Sequence, residues 1–387
     1  MLICLSPRAA HAQSKKNAGP RAIGVVTWNG DNAVPTPTTS VLTPVAIRVE
    51  GRYYDAELYQ SQPAPLAVDS GVVYDVLKSG DVIGTFTVGS ARERNDVWYG
   101  IGAFEKKGSK EQAAKAAPAK PAAPAPPADD RPRLRRGAPP PPAPKEQTDA
   151  VLNSIDRDPQ RPTLRRHTAE ERKQQATAPV KEFVPPEMHM LVAVSDAGGP
   201  EPHSFAFRTK PGELEKLRAE MEKIARAEMQ KQRKSAAVPK PKTAAGRKSH
   251  AHAPAAPPLQ FESPQFGIFD VNGNNAPIMV YSATAMIDGA KKYITVAAWQ
   301  EIDESLRTVF AQITDDQHLD VYPRLQVIDA VDATGNGRGE LLFRAFGDQG
   351  SRFVIYHPGP DSLTLLFDSA RGESGRLQSS PQVMAQR

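Results

Sequence analysis

Apolar and polar residues alternate in short bursts over residues 22–104, and the bursts end at turn-forming residues. Ala22–Trp28, Val45–Val49, Arg52–Tyr59, Val72–Leu77, Ile83–Val88 and Val97–Phe104 each read as a strand. Glu50-Gly51 and Lys78-Ser79-Gly80-Asp81 have tight-turn composition, so the runs on either side should pair as hairpins. Short strands at this spacing, over a span of about 80 residues, suit a small barrel or a curled sheet. Trp28, Phe86, Trp98 and the tyrosines are its expected core.

The same period of two returns at 187–209 and at 259–370, which read as a second β region. Between them the period changes. Leu214, Leu217, Met221, Ile224 and Ala225 fall on one helical stripe within Pro211–Lys234. Pro211 suits a first turn, Glu213 and Glu215 suit the positive N-terminal end, and Lys231, Arg233 and Lys234 suit the C-terminal end. The pattern therefore predicts a mainly β protein: two small β modules separated by long Pro/Ala/Lys/Arg-rich linkers, with one amphipathic helix inserted in the second. The expected spans are 22–105 for the first module and 181–209 plus 257–375 for the second. Residues 210–256 are expected as an insertion, helix 211–234 followed by a disordered tract, and 376–387 as a disordered tail. A lone strand pair at 190–207 would be marginal in water. The nearest sheet of matching spacing is the second β region, and long insertions cost little closure entropy.

Composition separates the β regions from what joins them. The 387 residues include 37 prolines, 14 of them within 106–180. That stretch carries 16 Lys and Arg against 9 Asp and Glu, and Lys210–Lys248 carries 12 against 5. The whole chain is only +5, so the β regions are acidic and the basic character belongs to the linkers. Such tracts bury too little apolar surface to fold alone and favour extended, polyproline-like states. Two readings of their charge stand: a solvated spacer, or a contact for polyanions such as nucleic acid or an anionic surface. As a spacer, 106–180 would reach about 200 Å at most, at roughly 3 Å per residue. One echo breaks the low complexity. Arg131-Pro-Arg-Leu-Arg-Arg136 and Arg161-Pro-Thr-Leu-Arg-Arg166 share R-P-x-L-R-R, an apolar anchor among arginines, which reads as a docking motif or as chance in an Arg/Pro-rich tract.

Residues 1–13 read as the remnant of a signal peptide. Ala10-His11-Ala12 before Gln13 fits a small-x-small cleavage site, and the short apolar run Leu2–Leu5 predicts a longer leader upstream in the reading frame. The expected location is the periplasm or cell envelope. Cys4, the one cysteine, lies in this leader, so a processed chain has no thiol for disulfides, thiol catalysis or cysteine-ligated metal. No apolar window is long enough for a transmembrane span.

The most specific pattern is a recurring turn. Asp270-Val-Asn-Gly-Asn-Asn-Ala-Pro-Ile-Met-Val-Tyr281 aligns with Asp332-Ala-Thr-Gly-Asn-Gly-Arg-Gly-Glu-Leu-Leu-Phe343, and more weakly with Asp196-Ala-Gly-Gly-Pro-Glu-Pro-His-Ser-Phe-Ala-Phe207. In each, an apolar strand precedes the aspartate and glycine follows it by three. An apolar residue comes at nine and an aromatic at eleven. The physics is that of an Asx turn, in which the carboxylate accepts main-chain N–H groups and glycine takes the positive φ before the next strand. The pattern resembles the FG-GAP/VCBS repeat of integrin-type β-propellers and many secreted bacterial proteins. Three copies are fewer than the blades a propeller needs. The resemblance implies calcium held by oxygens at loop positions one, three, five and nine. Those positions are Asp332, Thr334, Asn336 and Glu340 in one copy. In the other they are Asp270, Asn272 and Asn274, with Ile278 at the ninth, and in the weak copy Asp196, Gly198, Pro200 and Ser204. Carboxylate count favours the Asp332 loop.

No nucleophile-elbow, zincin, P-loop or dinucleotide fingerprint occurs. His250 and His252 sit in a basic tract, and His189, His203, His318 and His357 lack ligand spacing. The expectation is an exported, non-enzymatic binding or scaffolding protein of the bacterial cell envelope. The alternatives are a polyanion binder acting through the basic linkers and an unrecognised hydrolase.

Overall fold

The computed structural model describes residues 19–29, 34–35, 40–94, 97–108, 134, 137, 188–196, 198–236, 259–287, 289–348 and 350–369. The leader, the tail 376–387, His250, His252 and the second R-P-x-L-R-R copy lie outside the described residues. Within them the chain is mainly β with a single α-helix, as the two periods predict.

Six strands close a barrel: β1 (Arg21–Asn29), β2 (Val41–Val49), β4 (Val73–Lys78), β5 (Asp81–Arg94), β6 (Val97–Lys106) and β7 (Met188–Asp196). The order around the ring is β1-β7-β4-β5-β6-β2, and closure follows because β1 pairs with β7 on one side and β2 on the other. The short β3 (Arg52–Asp55) extends β2, so the expected run to Tyr59 stops early and turns. Lys78–Asp81 makes the expected tight turn, with Ser79 and Gly80 both at positive φ (48° and 80°). Ala22, Val26, Trp28, Tyr74, Phe86 and Phe104 share the buried core, with Trp98 partly buried against it. A short 3-10 turn, Leu66–Val68, joins that core, and Tyr74 Oη donates to the Ala67 carbonyl at 2.8 Å. Two faces of β1 are buried, so its apolar run is almost unbroken. Gly24 sits opposite β2, where a Cβ would stand 2.9 Å from Leu42 Cδ1.

β7 corrects the expected division of the chain. The expectation puts 181–209 in the second module; residues 188–196 are instead a barrel stave, paired along their length with β1 and in part with β4. This strand does need a sheet, and the barrel supplies it. The first basic tract therefore leaves the barrel after β6 and returns to it at β7, so it does not span from one module to the other.

After Asp196 the chain crosses to the second unit, where Phe205 is buried and Ala206 bridges to Phe269. This unit holds two four-stranded antiparallel sheets. The first runs β8 (Phe261–Phe269), β9 (Ile278–Ile287), β10 (Ala290–Gln300), β11 (Leu306–Asp315). The second runs β12 (Arg324–Val331), β13 (Glu340–Gly347), β14 (Gly350–Pro358), β15 (Leu363–Asp368). The sheets pack through Ile278, Val280 and Trp299 against Leu341, Phe343 and Val354. Thr295 Oγ1 donates across the interface to the Leu325 carbonyl at 3.0 Å.

The helix α1 (Glu213–Ala236) covers the other face of the first sheet, where Leu217, Met221, Ala225 and Met229 meet Met279, Tyr281, Ile294 and Val296. The expected stripe shifts slightly: Leu214 is 40% exposed and Met229 is buried instead. As a layer of the core, the helix is more than an insertion. The outer face of the second sheet meets the barrel, with Val331, Leu342, Ile355 and Phe367 against Ile23, Val25, Val192 and Val194. The result is four layers in series: helix, sheet, sheet, barrel.

Candidate functional site

The two strong turn copies occupy the same place in their sheets, between first and second strands. Asp270 accepts from Asn274 N at 3.1 Å and Asn275 N at 2.9 Å. Asp332 accepts from Asn336 N at 3.1 Å and Gly337 N at 3.0 Å. The loop's next oxygen repeats the pattern: Asn274 Oδ1 accepts from Ala276 N and Asn336 Oδ1 from Arg338 N. Gly273 and Gly335 take φ of 65° and 68°, where only glycine is unstrained. The Asx turn read from the sequence is thus the local structure at both positions. The weak copy differs. Asp196 accepts from Gly198 N at 2.9 Å, but the residues that follow form one isolated bridge instead of a strand.

The second turn meets the barrel at a buried charge cluster. Arg21, at the start of β1, is 6% exposed. Its Nη1 donates to Asp196 Oδ2 at 2.7 Å and its Nε to the Asp332 carbonyl at 2.8 Å, while Nη2 lies 3.7 Å from Asp332 Oδ2. Arg48 on β2 donates to the Thr334 carbonyl at 2.8 Å. One guanidinium thus ties the end of β1, the end of β7 and the β12–β13 turn. A small cavity of about 50 Å3 beside it is lined by Arg21, Asp75, Asp196, His203 and Asp332.

Behind the turn, Glu340 is fully buried. Its Oε2 accepts from Ala333 N at 2.8 Å and Thr334 N at 3.3 Å, and His357 Nδ1 lies 3.3 Å from Oε1. Burial raises its carboxyl above the ordinary range, and the Asp332 charge adds to this, against the Ala333 amide and His357.

Asp332, Thr334, Asn336 and Glu340, the residues to which the resemblance assigns calcium, therefore share one loop. Asp332, Asn336 and Glu340 accept from main-chain amides, Thr334 Oγ1 donates to Glu340 Oε1 at 3.4 Å, and Arg21 supplies the positive charge beside Asp332. Among the described residues, no group of three or more His, Cys, Asp or Glu converges as a metal site. The Asp270 loop offers Asp270, Asn272 and Asn274, with Ile278 buried in the sheet interface.

Between the two strong turns lies an open cleft of about 280 Å3, lined by Asn272, Asn274, Trp299, Arg307, Arg338 and His357. Trp299 Nε1 donates to the Gly359 carbonyl at 2.9 Å, and Arg307 is held by Glu301 and Asp361. The lining suits a small polar ligand with acceptor groups. The other histidines are dispersed: His189 stacks on Trp28 at 5.2 Å, His203 meets Phe205 edge-on, and His318 pairs with Asp315.

Sequence reasoning missed Arg21 and Asp329. A lone arginine opening an apolar strand, and a lone aspartate inside one, are the signals that were available. Asp329 interrupts β12 and accepts from Ser79 N at 2.7 Å across the barrel contact. Burial pushes its carboxyl up to about 6, against the Ser79 and Ala330 amides. Comparisons with protein-family models, curated proteins and solved structures give no match.

Proposed function

We propose that the chain is an exported, non-enzymatic binding or scaffolding protein of the bacterial cell envelope, built as one β body that presents its basic tracts as loops. Export rests on the small-x-small sequence Ala10-His11-Ala12, and the observation that carries the scaffolding part of this reading is connectivity. β6 ends at Lys106 and β7 begins at Met188, both in the barrel; α1 ends at Ala236 and β8 begins at Phe261, both in the second unit. Each tract is tethered at both ends to the body it leaves. A segment tethered in this way presents a surface to a partner and sets no distance between modules. The buried carboxylates favour the same reading, because Asp196, Asp332 and Glu340 hold turns and Arg21 in place. The matching turns of the two sheets support reading them as two copies of one FG-GAP/VCBS-like unit.

A second reading, binding of an anionic polymer or surface, is favoured by the same connectivity and by the surplus of positive charge on both tracts. The test is retention of the full chain on immobilised heparin and on anionic vesicles as salt is raised, beside a variant with the Lys and Arg of 138–180 changed to Gln. Steep salt dependence that weakens in the variant supports the polyanion reading, because each lost contact releases fewer counterions. No retention at low salt removes it. Cell fractionation tests the wider proposal, and purely cytosolic protein would contradict it.

A further inference from the structure

Two described residues stand apart within the first tract, and both are docked. Leu134 is 2% exposed and belongs to the barrel core cluster with Tyr74, Phe86 and Val88. Gly137 N donates to the Gly71 carbonyl at 2.8 Å. The fit beside it is close: a Cβ on Gly137 would stand 2.8 Å from Val73 Cγ2, and one on Gly71 would stand 3.2 Å from the Gly137 carbonyl oxygen. Leu134 is the leucine of the first R-P-x-L-R-R sequence.

We propose that this groove at the start of β4 is a docking site for the R-P-x-L-R-R sequence, held in the structure by the first copy and open to the second, Arg161–Arg166, when the first leaves. The leucine is the anchor, because a buried leucine contributes most of what so short a segment can gain. The two copies are unequal for a stated reason. The residue after the motif is Gly137 in the first copy and His167 in the second. Any side chain there meets Val73, a branched residue with little freedom to move. The first copy is therefore the resident and the second the weaker competitor, which makes the site exchangeable within one chain or between two.

The test uses labelled peptides spanning 128–140 and 158–170 and the full chain with its groove vacated. Two variants vacate it: Leu134→Asp, and replacement of 131–137 by a Gly/Ser stretch, which serves if the first does not fold. The 128–140 peptide should bind both folded variants and bind the wild-type chain at least about tenfold more weakly, since the tethered copy competes at high effective concentration. The 158–170 peptide should bind the vacated chain about tenfold more weakly than the first peptide, a difference of about 1.4 kcal/mol. His167→Gly in that peptide should recover most of the loss, and Leu164→Asp should abolish binding. The proposal is overturned if neither peptide binds a vacated chain. It is also overturned if binding survives Leu164→Asp, which would mean charge attraction alone, or if the two peptides bind equally whatever stands at 167.

Discussion

Arg21 sits where three separate parts of the chain meet, and its removal should be felt in all of them. Arg21→Met keeps the aliphatic stem but leaves the Asp196 and Asp332 carboxylates without their shared cation. Breaking a buried pair in this way costs about 3–5 kcal/mol, because the orphaned charge is left in a poor solvent. Denaturant unfolding should show a loss of that order, and a loss under about 1 kcal/mol would mean that Arg21 is peripheral. Asp329 makes a second prediction at this scale. Its folded pKa is raised to about 6 by burial, so the folded protein keeps a proton that the unfolded chain has already released. The stability this group contributes is complete below the ordinary carboxylate range and is lost as pH rises through about 6. Asp329→Asn cannot ionise, so the fall in stability between pH 4 and pH 7.5 should shrink by up to about 3 kcal/mol. An unchanged pH profile in that variant would assign the dependence elsewhere. Neither residue was legible in advance, because a single charge in an apolar strand gives no periodic signal and its partners lie far away in sequence.

At the scale of elements, the strands, their turns and the helix were legible because each has a local signal. Alternation marks β4 and β5, Lys78–Asp81 marks their hairpin, and the two Asx turns announce themselves through Asp, Gly and the aromatic that follows. Partner choice has no such signal. β7 reads equally well as a stave of the barrel or an edge of the second unit, and what decides it is closure of the ring between β1 and β4. The helix stripe was legible to within one residue, while its role as a layer followed only from the apolar patch on the outer face of β9 and β10, Met279, Tyr281, Ile294 and Val296. That role can be measured. Met221 is buried against this face, so Met221→Lys should lower stability by about 3 kcal/mol or more, through both the lost apolar contact and a buried charge. Leu214→Lys, on the exposed side, should change it by less than about 0.5 kcal/mol. Equal effects would mean that the helix does not dock through the Leu217–Met229 stripe.

At the scale of the molecule, the four layers share apolar interfaces on every internal face, so barrel, sheets and helix should behave as one body. Loop length costs little, so deleting 138–180 should alter stability by less than about 1 kcal/mol, whereas Leu134→Ala should cost about 2–4 kcal/mol through the barrel core. Calorimetry on both variants decides between a tract that is uniformly dispensable and one pinned at Leu134. The central claim is that the first tract is a loop on one body and no bridge between two. The most direct measurement is to place a specific protease site between Pro142 and Ala143, cut the folded chain there and pass it through a sizing column without denaturant. The two pieces should co-elute and melt in one transition close to that of the uncut chain, because β7 on the C-terminal piece remains a stave of the barrel formed by the N-terminal piece. Separation of the cut chain into two folded species, each with its own melting transition, would contradict this architecture.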